Sequence, residues 1–179
     1  MDRRVAGMES PARVRLTACM NGFLEIVTLV TALGCGLVAG VWFTFSAFVM
    51  PALDRLPAAG GIAAMQSINR LAITPPLMLA MFGTAFACLA LAIWAIASLG
   101  ESEAPLVLAA AALYLVGTIV VTRAANVPRN DTLEALDPHG GSVADGWARY
   151  VREWTAWNHV RLVTSLAAAA LLTIALIDG

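Results

Sequence analysis

Trp154-Thr155-Ala156-Trp157-Asn158-His159-Val160-Arg161, followed without a single charge by Leu162 to Ile177, is the stretch on which the fold turns. The uncharged run is close to the length an α-helix needs to cross a hydrocarbon core, about 20 residues. No Pro or Gly interrupts the chain from Trp147 to Ile177, so the run and the polar cluster ahead of it belong to one long helix. Trp147, Tyr150, Val151, Trp154, Trp157, Asn158 and Arg161 recur at steps of three and four, which places them on one stripe of that helix. A polar, aromatic cluster at the mouth of an apolar helix is either an interface anchor or the floor of a site.

The rest of the chain has the same character. Of its 179 residues, 60% are hydrophobic and 13% charged, about half the ~25% typical of soluble domains. Mean hydropathy is +0.79, and the chain falls in the membrane class. Apolar runs at about 24–50, 75–99 and 105–122 join the one at 157–177. The fold expected is all-α: a four-transmembrane-helix bundle, multi-pass in the cell membrane, with short interfacial helices in the first and third connections. Residues 1–20, with Arg3, Arg4, Arg13 and Arg15, read as a disordered basic tail, and 21–179 as a single membrane domain. Pro51 and Pro128 are expected to close the first and third spans. Ile62, Met65, Ile68, Asn69 and Ala72 have the spacing of a short interfacial helix. Asp131 and Glu134 have capping-box spacing, so a helical turn is expected there.

Several function classes fall away. A net charge of -1 leaves no basic stripe to neutralise phosphates, so nucleic acid is not a partner. No glycine-rich nucleotide motif occurs. Cys19, Cys35 and Cys88 lie far apart with no C-x-x-C, which removes thiol-oxidoreductase and zinc-ribbon readings. His139 and His159 are the only histidines. A triad of His159, Asp131 and Glu153 is set aside because Glu153 lies off the His159 face of the helix. The reading carries no metal and no cofactor.

Counting spans turns scattered residues into one constellation. Four crossings put both termini on one side. The connections 51–74 and 123–156 then share the other side, with Asn69, Arg70, Asn126, Asn130, Asn158, His159 and Arg161 at one end of the bundle. Four arginines in the tail stand against seven elsewhere, which leans towards cytoplasmic connections. Ala32, Gly36 and Gly40 form a small face on the first span. Its expected use is close packing inside the chain, its other use a homo-oligomer contact through Gly36 and Gly40. Partners expected are membrane lipid and a small apolar aromatic ligand.

Three stretches together resemble a family. They are Gly36 to Leu53, with the pattern G-x-x-x-G-x-x-F-x-F-S-x-F-V-x-P-A-L; Asn126-Val127-Pro128-Arg129-Asn130-Asp131; and Trp154 to Arg161. The pattern is similar to the anthrone oxygenase-like family of small four-span membrane proteins, over about residues 24–177. The resemblance implies the four-span fold and an oxidation of anthrones to anthraquinones by O2 without an added flavin or metal. An anthrone tautomerises to an electron-rich phenol whose anion reacts directly with oxygen. An enzyme need only bind a flat aromatic, remove a proton and stabilise an oxyanion. On this reading His159 is the base, and Arg161 with the amides of Asn126, Asn130 and Asn158 holds the oxyanion. Tyr150, Trp154 and Trp157 stack on the rings, with Asn69 at the same end. The competing reading is a non-catalytic membrane protein that binds a quinone, a lipid or a partner helix.

Overall fold

A computed structural model describes residues 11–138, 140 and 143–178, with side chains from residue 22 onward. Its helices are α1 (Gly22–Asp54), α2 (Ala58–Leu71), α3 (Pro75–Ala97), α4 (Ala104–Glu134) and α5 (Val143–Asp178). The described residues contain no strand. All but α2 are long and apolar enough to cross a membrane, and the chain is a multi-span membrane protein. Of the expected disordered tail, residues 1–10 lie outside the described residues, while the backbone is already helical from Pro11.

The four long helices close into a ring: α1 packs on α3 and α5, and α4 packs on α3 and α5. Small residues meet at the centre, where Cys35, Val38, Cys88, Ala95, Ala110, Ala111 and Ala168 are all buried. Leu33, Leu37, Phe86, Ile93 and Val163 point outward and are exposed. Apolar side chains outside and small ones inside are what lipid demands, because packing rather than water exclusion holds helices together there. α2 lies at the end of the ring that carries both long connections. Its Gln66 Nε2 donates to the carbonyls of Leu133 at 2.9 Å and Leu136 at 3.0 Å, so it ties α2 to the end of α4. Arg70 on α2 pairs with Glu134. A second core fills this end: Met50, Leu53, Ile62, Met65, Leu133, Trp147, Tyr150 and Trp154.

Two prolines behave differently from expectation. The first helix runs through Pro51 to Asp54, and the third through Pro128 to Glu134. Each proline follows a π-helical stretch, Phe45–Val49 in α1 and Thr122–Asn126 in α4. A proline in an α-helix clashes with the carbonyl four residues back and leaves it without a donor. A π turn inserts one residue and shifts those carbonyls, so the chain passes the proline without ending the helix. The expected helical turn at 131–134 is thus the last turn of α4.

The small face is also corrected. Ala32 is buried, but nothing lies within 4 Å of a Cβ built on Gly36 or Gly40, so those two glycines face outward. The close approaches are elsewhere: a Cβ on Gly34 would collide with Thr84 of α3, and one on Gly117 with Thr164 of α5. Gly61 meets the Trp147 indole, where a Cβ would stand 2.7 Å from ring carbons.

Candidate functional site

The inner face of α5 carries Trp147, Tyr150, Trp154, Asn158, Arg161 and Ser165, all buried. Arg161 is the only charged residue among the fully enclosed side chains described. Its guanidinium stands over the Trp42 ring at 3.9 Å from the centroid and faces the Trp154 ring at 5.1 Å. Nη2 donates to Asn158 Oδ1 at 2.7 Å, and Nη1 to Thr122 Oγ1 at 3.2 Å. Asn158 Nδ2 in turn donates to the Trp42 carbonyl at 2.7 Å and to Ser46 Oγ at 2.8 Å. The π stretches explain these partners. One turns Ser46 inward just after Trp42, and the other carries both Thr122 and Asn126. The Trp42 carbonyl, just ahead of the first of these stretches, accepts from Asn158.

Donors are left over. Arg161 Nε, Trp42 Nε1 and Trp154 Nε1 are buried without a hydrogen-bond partner, and so is the acceptor Asn126 Oδ1. Asn126 Nδ2 donates to the Trp154 carbonyl at 3.3 Å. Buried polar groups are almost always paired, so an unused guanidinium Nε beside two unused indole N–H groups makes this cluster the candidate site. No ion pair to Arg161 exists among the described residues: Arg129 is taken by Glu153 at 3.1 Å, and Arg70 by Glu134.

One turn nearer the end of the ring a second group adjoins. The Tyr150 ring packs on Trp154 at 6.4 Å and stacks on Trp147 at 5.8 Å between centroids. Its hydroxyl donates to Asn130 Oδ1 at 3.0 Å. Asn69 of α2 lies beside the same hydroxyl, with its Nδ2 enclosed there. The structure therefore gathers Asn126, Trp154, Asn158 and Arg161 in one cluster, with Asn130, Tyr150 and Asn69 adjoining.

His159 is not in it. A helix turns by about 100° per residue, so the neighbour of the enclosed Asn158 points elsewhere, and His159 is exposed. The structure therefore does not bring His159 together with this cluster, where it was expected as the base. Trp157 is 39% exposed and covers Arg129 from outside, 6.0 Å from ring centroid to guanidinium. It does not reach the inner stripe either. His139 lies outside the described residues. Among the described residues no three His, Cys, Asp or Glu side chains come together as a metal site would need.

Trp42, Ser46 and Thr122 are the members that sequence reading passed over. Span parity carried a signal for the first two, since it puts the far end of α1 beside the entrance of α5.

A ring of four apolar helices with an enclosed polar and aromatic cluster at one end defines a small multi-span membrane protein with a candidate site at that end. The chain belongs to the anthrone oxygenase family, whose model matches residues 76–171. No curated protein and no solved structure matches it. The matched stretch contains Asn126, Asn130, Tyr150, Trp154, Asn158 and Arg161; Trp42, Ser46 and Asn69 precede it.

Proposed function

We propose that this protein is an oxygenase of the cell membrane that acts on anthrone-like or phenolic aromatic compounds, without a bound cofactor. The carrying observation is Arg161: an enclosed guanidinium between two tryptophan faces, with Nε and two indole N–H groups unused. A flat aromatic suits the indole surfaces, and its oxygens suit the unused donors. In the reaction an anthrone gives up its proton to water and is held as an electron-rich enolate. Oxygen adds to the ring carbon opposite the carbonyl. The peroxide anion takes a proton back from water and then loses water, so that one O2 becomes the new quinone oxygen and one water. Arg161, backed by Asn158 and Thr122, holds the enolate oxygen, and Asn126 Oδ1 accepts from a hydroxyl of the substrate. Tyr150, Asn130 and Asn69 border the far edge of the rings. An apolar polyaromatic would reach such a site through the lipid, which fits the apolar outer faces. The test is anthrone consumption with oxygen uptake by the purified protein in detergent. The expected result is equimolar loss of anthrone and oxygen with quinone formed, well above detergent alone. No turnover above detergent across several anthrones would instead favour a protein that binds its aromatic and does no chemistry.

A further inference from the structure

We infer that the site takes its ligand as an anion, so that an ionised phenolic or enolic oxygen supplies the countercharge Arg161 lacks. The aromatic class of that ligand rests on the proposed function; its charge does not. Arg161 is 3% exposed, and a guanidinium stays protonated in proteins. An enclosed ion without a counter-ion is strongly unfavourable. Everything that touches it is neutral: Asn158 Oδ1, Thr122 Oγ1 and the indole faces of Trp42 and Trp154. Cation–π contact offsets part of the cost, but it leaves Nε unused.

The ionisable groups nearby do not close the balance. On α5, Tyr150 gives its hydroxyl hydrogen to Asn130 and is the neutral phenol, while Glu153 is held by Arg129 of α4. On α2, Arg70 is paired with Glu134 of α4. Asp54 and Arg55 at the end of α1, and Arg123 and Asp131 of α4, are exposed. Cys35, Cys88 and Tyr114 are enclosed in the central core, on the far side of the Thr118 and Ser165 turn. Near Arg161 the unused hydrogen-bonding groups are three donors and one acceptor. That balance suits an oxygen with negative charge better than a neutral hydroxyl, and charge-assisted bonds are the stronger kind. The ligand's own proton then stays in the water, and the site needs no base in the protein.

Alizarin is a suitable probe, a stable flat hydroxyanthraquinone that turns from yellow to red on ionisation and cannot be oxidised as an anthrone is. It is titrated into the full chain in an uncharged detergent, over a pH range below its own ionisation midpoint. The expected result is a bound dye that is red while the free dye is yellow, with affinity rising about tenfold per pH unit. Arg161→Gln is expected to abolish the red bound form. If that variant fails to fold, the pH slope of the parent decides alone. Laurate distinguishes an aromatic oxyanion from a lipid carboxylate. It is expected not to displace the dye at equal concentration, and displacement would overturn the aromatic assignment. A bound dye that stays yellow, an affinity that does not vary with pH, or no binding at any pH overturns the inference. The two readings separate cleanly: red binding without anthrone turnover removes the oxygenase, and turnover without red binding removes the anion.

Discussion

Two layers of polar side chains cross the same ring of helices, and they are finished differently. In the inner layer Tyr114 donates to the Met81 carbonyl at 3.0 Å, and Thr118 and Ser165 bond each other at 2.6 Å. Every one of these hydroxyls has a partner, and all three residues are fully enclosed. One turn outward, around Arg161, the bonds are as short but do not close the set: Nε and two indole N–H groups are spare. Both layers draw on α4 and α5, with Met81 of α3 completing the inner one and Trp42 and Ser46 of α1 the outer. The difference is therefore not a failure of this fold to satisfy polar groups in an apolar setting. The inner layer holds helices together, and the outer layer is the one the proposed function assigns to a ligand.

That contrast can be broken or sharpened by mutation. The largest effect is expected for Arg161→Gln, which removes the charge that receives the oxyanion. Anthrone-dependent oxygen uptake is expected to fall by about 10²–10³-fold, as for loss of an oxyanion donor. Next is Gly117→Val at the level of the inner layer, where a side chain would drive Thr164 away. Overpacking there is expected to lower stability by about 1–3 kcal/mol, read by chemical unfolding in detergent. Tyr114→Phe in the closed layer removes one buried hydrogen bond and is expected to lower stability by about 0.5–1.5 kcal/mol with oxygen uptake unchanged. Smallest are His159→Ala and Gly40→Leu, on outward-facing positions. Each is expected to leave stability within about 0.5 kcal/mol of the parent, and His159→Ala to leave turnover unchanged. A loss of turnover with His159→Ala would return the histidine to the mechanism.

Much of this arrangement is legible before any coordinates. Uncharged runs mark the four crossings, and the lack of Pro or Gly after Trp147 marks α5 as one helix. The three- and four-residue steps on α5 select Trp154, Asn158 and Arg161 and also leave out His159; proximity in sequence, not the stripe, drew it into the cluster. The π stretches were not legible, because one inserted residue leaves no mark in composition. With them went the true course of Pro51 and Pro128 and the inward turn of Ser46. Glycine spacing shows that α1 has a small face but not its direction. Whether Gly34 or the pair Gly36 and Gly40 meets a neighbour depends on the rotation of α1, which is set by packing against α3 and α5.

The most direct measurement is an experimental structure of the protein with alizarin bound. The account requires the rings against Trp42 and Trp154 and a dye oxygen within hydrogen-bond distance of Arg161 Nε, about 2.7–3.2 Å. Dye bound elsewhere on the ring of helices, with Arg161 Nε satisfied by a protein group, would contradict it.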